Sequence, residues 1–205
     1  MSFLRDLFGS GRQEIWQQFA AAVGGNFTEG GFWSGGDRVD AAHGQWMVTL
    51  DRYVVSTGKS SVAYTRMRAP YVNADGFRFT IYRKGIFSGL GKWMGMQDVT
   101  VGDPLFDEDF IIKGNDEAKI RRLFSDVKLR ELISAQPDIN FCVKDDEGYW
   151  SGHSFPPNVD ELYFEVVGTI TDLDRLKELY DLFSETLDEL CQMGSAYKDG
   201  PGMRL

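Results

Sequence analysis

The sequence predicts an α+β fold, an antiparallel sheet with helices packed on one face, and three observations lead to it. Several runs alternate apolar and polar residues with period two between clear turn signals. Two segments, near the start and at the end of the chain, carry apolar residues at helical spacing. The strands come in consecutive runs rather than in strict alternation with helices, which argues for antiparallel neighbours. A composition of 42% apolar and 14% aromatic residues over 205 positions suffices for a packed core.

The first helix is expected in "RQEIWQQFAAAVGG" (12–25), where Ile15, Trp16, Phe19, Ala22 and Val23 recur on one face and Gly24-Gly25 supplies the stop. A glycine-rich link follows, "GGNFTEGGFWSGG". Four strands come next: "DRVDAAH", "QWMVTLDRYVVS", "SVAYTRMRAPYV" and "GFRFTIYRK". Turns at Gly44, at Thr57-Gly58-Lys59 and at "NADG" separate them, so they read as a four-stranded meander. In the last of them Phe77, Phe79 and Ile81 share one face, with Arg78, Thr80 and Tyr82 opposite.

A second unit starts with the strand "DFIIKG" and a helical run, "NDEAKIRRLFSDVKLRELISAQP". Asn115 or Asp116 caps that run, and Ser125-Asp126 offers a second cap that splits it in two. Three strands follow, "INFCVKDD", "YWSGHSF" and "ELYFEVVGTI". The last helix, "DLDRLKELYDLFSETLDELCQMG", spaces Leu173, Leu176, Tyr180, Phe183, Leu187 and Leu190 by three and four residues, capped by Thr171 or Asp172. The element order is therefore α-ββββ-β-α-βββ-α. It reads as one compact body over 1–205, and the sequence leaves open whether 1–95 and 96–205 are sub-lobes with separate sheets.

Charge narrows the choice of partners. The chain is acidic, at −9, which excludes nucleic acid as a general partner, since phosphate binding needs clustered cations. The charge is uneven: residues 51–93 hold eight Lys/Arg against two acids, whereas 94–205 hold eleven against twenty-four. Either the two parts attract each other, the favoured reading, or the basic part faces an anionic ligand. No run is long enough to span a bilayer, and the start, "MSFLRDLFGSGRQEIWQQF", lacks an apolar signal core, so a cytoplasmic protein is expected. Two cysteines, Cys142 and Cys191, and two histidines, His43 and His153, match no metal or redox motif; neither metal nor cofactor is expected.

The stretch "KGIFSGLGKWMGMQD" (84–98) is the best candidate for chemistry. As a phosphate loop it fails: Gly91-Lys92 is followed by Trp93 where a Ser or Thr should hold the metal, and Ile86 stands at the first glycine position. The dinucleotide fingerprint fails too, with Met94 at its third glycine. What remains is a glycine-rich loop rich in large apolar residues, either folded over the core or covering a pocket. Arg66 and Arg68 share one strand face, with Arg78 expected on the next strand, an arrangement that suits gripping a carboxylate or phosphate, though a solvated sheet face pairing with acids of the second unit is the favoured reading. Lys92, Trp93 and Asp98 complete the set, Asp98 as a base. "GDPLFDEDF" gathers Asp103, Asp107, Glu108 and Asp109, but not at calcium-loop spacing, and reads as an acidic turn. No nucleophile elbow accompanies His153.

At "FDEDFIIKGNDEAKIRRLFSDVKLRELI" (106–133) the chain resembles bacterial proteins of unknown function. The resemblance rests on Phe106, Asp107 and Phe110 leading into a strand, Asn115-Asp116 at a polar corner, Arg121-Arg122 in a helix, and Leu123 and Ser125 at a break. It implies a bacterial origin and a shared α+β module, and brings no activity or catalytic residue with it. Some of those proteins are membrane-associated. The leading expectation is a non-enzymatic module that binds an unknown small anion or protein partner. The alternatives are an enzyme acting on an anionic substrate under the 84–98 loop and a homodimer built on the last helix.

Overall fold

The computed structural model describes residues 3–30, 36–56, 58, 60–85, 97–145, 155–202 and 205, with residues 3–10 and 97 described by their backbone alone. Helix α1 (Phe3–Val23) begins nine residues before the expected start and stops at Gly24, whose φ of +67° suits a residue without a Cβ. The strands β1 (Asn26–Thr28), β2 (Arg38–His43), β3 (Trp46–Ser56) and β4 (Ser61–Val72) then run up and down as antiparallel neighbours. Strand β1 lies in what reads from sequence as a link. It carries one apolar residue, Phe27, too few for alternation to be visible.

The chain continues through β5 (Phe79–Arg83), β6 (Gln97–Asp98), helix α2 (Pro104–Asp109), β7 (Phe110–Gly114), α3 (Glu117–Leu123), α4 (Val127–Ser134), β8 (Asn140–Asp145), β9 (Val159–Val167) and α5 (Leu173–Gln192). Among the described residues all pairs are antiparallel, in one nine-stranded sheet of order β1-β2-β3-β4-β9-β8-β5-β7-β6. Helices and antiparallel sheet make the fold α+β, as expected. The meander is corrected in one respect: β5 does not pair with β4, because β9 and β8 stand between them. Strand β9 pairs with β4 from Val72↔Val159 to Tyr64↔Val167, so strands of both predicted units share a sheet.

The register puts Val39, Leu50, Met67, Phe164, Phe141, Ile81 and Ile112 in one row across seven strands, all buried. The helices cover that face. Trp16 of α1 is buried and donates its Nε1–H to Ile170 O at 3.0 Å. Of the stripe on α5 that suggested a dimer, Leu176, Phe183, Leu187 and Leu190 are fully buried and Leu173 and Tyr180 are half-buried against the core, so most of it is consumed within the chain. The break between α3 and α4 falls as expected. Asp116 caps α3 through Lys119 N–H at 3.0 Å, and Asp126 caps α4 through Leu129 N–H at 2.6 Å. Gly114 permits the close approach of α3 to the sheet, since a Cβ there would lie 2.7 Å from Arg78 O and collide with Ile120.

Two further corrections concern polar segments. The acidic "turn" is helix α2: Asp103 caps it by accepting from Phe106 N–H, Pro104 occupies its first turn, and Asp107 accepts from Val101 and Gly102 N–H at 2.8 and 2.9 Å. The tail "SAYKDGPGMRL" (195–205), which its polar and glycine-rich composition predicts to be loose, begins docked, Ser195 and Ala196 being buried and Ala196 bridged to Asn73. Most of the expected strand 149–155 lies outside the described residues. Among the described residues no helix is long and apolar enough to cross a membrane.

Candidate functional site: the sheet face opposite the helices

Alternation along the strands gives the sheet a second face, and that face is charged. One row runs Asp40–Thr49–Arg68–Tyr163–Cys142–Thr80–Lys113–Asp98, neighbour by neighbour, from β2 to β6. The next row holds Arg38, Asp51, Arg66 and Glu165, and the one beyond it Tyr53, Tyr64 and Val167. Much of this polar face is nonetheless buried: Thr49, Thr80 and Glu161 are fully so, and Tyr163 and Cys142 nearly so.

Asp51 is the hub. Its carboxylate accepts from Arg66 Nε and Nη2 at 2.6 and 3.0 Å and from Arg68 Nη2 at 2.6 Å. Arg68 Nε lies 3.5 Å from Glu161 Oε1. Burial alone would push the Arg66 guanidinium down, but the bonds and charge of Asp51 outweigh it and hold Arg66 above its ordinary value. Arg66 also stacks over the Tyr53 ring, 4.8 Å from its centroid, and that ring stacks on Tyr64 at 5.1 Å. Glu165 gathers two phenols, accepting from Tyr53 and, at 2.5 Å, from Tyr163. Burial first, then Glu165, raises the Tyr53 hydroxyl well above the ordinary tyrosine range.

A cleft of about 610 Å³ opens on the same face, lined by Gln45, Met47, Pro70, Gly200, Pro201, Gly202 and Leu205. Met47 and Pro70 precede Thr49 and follow Arg68 by two residues, so its floor continues into the charged rows. Arg38, ion-paired with Asp40 at 2.7 Å, reaches the main-chain oxygen of Leu205 beside it.

The residues singled out from sequence separate into three groups. Arg66 and Arg68 do share a face, and both are engaged with Asp51. Arg78, expected beside them, is displaced by the insertion of β9 and β8; it pairs with Asp145 at 2.5 Å and Asp160 at 3.3 Å. Asp98 stands five strands from β4, about 24 Å along the sheet; it is 75% exposed and 3.3 Å from Lys113. It therefore does not meet Arg66 or Arg68 around one small substrate. Lys92 and Trp93 lie outside the described residues, as does His153. His43 is paired with Asp188 at 3.0 Å.

Three groups were missed from sequence. Asp51 lies on β3 and Glu161 and Glu165 on β9, and they meet the arginines of β4 only through the register; the placing of Glu161 and Glu165 on one face of "DELYFE" was the one available signal. Asp126, Glu185 and Glu189 bring carboxylate oxygens within 4.8 Å of one another, half-buried, with Lys128 at 2.5 Å from Glu185. Burial, then Asp126 and Glu185, pushes the Glu189 carboxyl up. Third, Tyr71 is wholly buried with its hydroxyl unpartnered among the described residues, and burial followed by Asp160 and Asp75 raises it.

The fold and this face define an α+β protein with an open antiparallel sheet, one side under helices and the other polar. No family model matches the chain, and no curated protein does. A solved structure, the mycobacterial trehalose monomycolate transport factor A (TtfA), is similar at a TM-score of 0.48 and 9% identity, over 85% of this chain and 96% of that one.

Proposed function

We propose that the chain is a non-enzymatic binding module that docks a protein partner on the sheet face opposite its helices. The observation that carries this reading is the end of that face. Val167 is 71% exposed and continues a row with the stacked pair Tyr64 and Tyr53; Val55, at 42%, lies beyond them. A contiguous apolar and aromatic end, bordered by held arginine–carboxylate pairs, has the make-up of a recognition surface. The internal pairing of Arg66 and Arg68 argues for a protein over a free anion, which would have to displace Asp51 to reach them.

A photo-crosslinking residue placed at 64 or 167 should capture a partner in cells, whereas one at 174 on the helix side should not. Capture from 174 alone would overturn the reading. A second reading, a small anionic ligand, rests on Arg68, which lies two residues from Pro70 of the cleft and whose buried Nε makes no hydrogen bond among the described residues and meets Glu161 only at 3.5 Å. Titration with inorganic phosphate and with acetate, followed by amide shifts at residues 47, 68 and 70, tests that alternative directly.

A further inference from the structure

The sequence holds two Asp-Gly pairs, Asp75-Gly76 and Asp199-Gly200. Such a pair is open to ring closure, because glycine has no Cβ to hinder attack by its own main-chain nitrogen on the aspartyl carboxyl before it. The fold treats the two pairs differently. Gly76 N–H donates to Asn73 Oδ1 at 3.0 Å, and the Asp75 carboxylate accepts from Phe77 N–H at 3.0 Å, from Ser195 Oγ at 2.9 Å and from Lys119 Nζ. Burial alone would raise the Asp75 carboxyl, but the bonds from Lys119, Ser195 and Phe77 hold it below its ordinary value. It stays ionised, the poorer electrophile, and its nucleophile is already engaged. The second pair has none of these restraints. Lys198, Asp199 and Gly200 are exposed, just past the main-chain bond from Tyr197 N–H to Val72 O at 3.2 Å. Neither Asp199 nor Gly200 takes part in a hydrogen bond or ion pair among the described residues.

We propose that Asp199 is a site of spontaneous isomerisation to isoaspartate, and that the change loosens one wall of the cleft. The Gly200 nitrogen attacks Cγ of the protonated Asp199 carboxyl. The N–Cγ bond forms, and one carboxyl oxygen leaves as water with the acid proton and the amide proton. Water then opens the five-membered ring. Attack at Cγ restores aspartate; attack at the main-chain carbonyl breaks its bond to the Gly200 nitrogen and leaves the chain running through Cβ and Cγ. Solvent water is the only co-reactant. The product carries an extra main-chain carbon and a free α-carboxylate. That carbon falls where room is short, since a Cβ on Gly200 would sit 3.0 Å from Gln45 O. Gly200, Pro201 and Gly202 line the cleft opposite Met47 and Pro70. Lengthening the chain between the Tyr197 bond and this contact displaces the wall from Gln45. The proposal is independent of the docking reading, which concerns the Tyr64 and Val167 end of the face.

The test keeps the full chain warm at neutral pH over weeks, then assays its separated peptides for isoaspartate by enzymatic carboxyl methylation. Isoaspartate should accumulate at 199 at least about tenfold faster than at 75, where reaction waits on local opening. In urea, which frees both pairs, the two rates should converge. Asp199→Glu, at an exposed position that leaves the fold intact, would need a six-membered ring and should stay unmodified. Amide signals of Gln45 and Met47 should shift in the aged native chain and stay in place in aged Asp199→Glu. Equal isoaspartate at 75 in the folded chain, or none at 199, overturns the assignment. A preference for 199 that persists in urea would trace to sequence and refute the role given to the fold. Isoaspartate at 199 with the Gln45 and Met47 signals unmoved refutes the link to the cleft.

Discussion

Asp51 serves two guanidinium groups at once, which makes it the residue whose loss costs most on the charged face. Asp51→Ala leaves Arg66 and Arg68 largely buried with fewer partners. The expected cost is about 2–3 kcal/mol, read as a lower urea midpoint at unchanged slope. Replacing Arg66 by Met in the same chain should recover part of it, and a cycle with no coupling would show the contact to be energetically idle. Glu189 predicts the opposite sign. It sits in the last turn of α5, where the helix dipole disfavours anions, faced by Asp126 and Glu185. Because its carboxyl is raised in the folded state, the native protein binds that proton more tightly than the unfolded chain. Stability is then lost as pH rises through the carboxylate range. Glu189→Gln should therefore raise the melting temperature at pH 7, by an amount equivalent to about 0.3–1 kcal/mol, with the gain vanishing in acid below that range. A stabilisation that persists unchanged there would point to packing instead. Residue-level reading of the sequence went as far as its period: Arg66 and Arg68 on one face follow from alternation, but their partner Asp51 follows only from a register that no local pattern encodes.

Elements with a local signal were readable and those without one were not. The last helix is specified by its 3–4 spacing and its Asp172 cap, and the α3–α4 break by Ser125-Asp126. Helix α2 looked like an acidic turn because its charges hide two helix-starting features, Asp103 as cap and Pro104 behind it. That account is testable. Asp103→Ala should remove the cap on Phe106 N–H and the ion pair with Arg130 at 3.3 Å. The loss expected is about 1 kcal/mol, and fraying of α2 should appear as faster amide exchange at 106 and 107. Asp103→Asn, which can still cap, should keep the helix; equal fraying in both variants would assign the start of α2 to Pro104 alone. Strands β1 and β6, three and two residues long, give alternation too little length to register.

At the scale of the molecule, the uneven charge turns inward. Arg68 meets Glu161, Arg78 meets Asp145 and Asp160, and Arg83 meets Asp109 at 2.9 Å, so basic strands of the first half are answered by acids of the second. Sheet order makes this possible: β9 returns from near the chain's end to lie along β4, and β8 carries β5 on its far side. Composition displayed the asymmetry but could not order the strands, because β4 and β5 adjoin in sequence and are held apart only by non-local pairing. We propose from this order that the chain is one folding unit. A fragment of residues 1–95 keeps β2, β3 and β4 but loses every partner of β5 and leaves the inner edge of β4, nine residues long in its pairing with β9, unsatisfied. A fragment of 96–205 uncovers Phe164 and Phe141, which pack against the first half. Each alone should give collapsed amide dispersion. An equimolar mixture should recover the dispersion of the intact chain, slowly, since the contacts that form are distant in sequence. A well-dispersed spectrum from 1–95 alone would mean that two lobes fold independently and the β4–β9 seam is a docking joint between them.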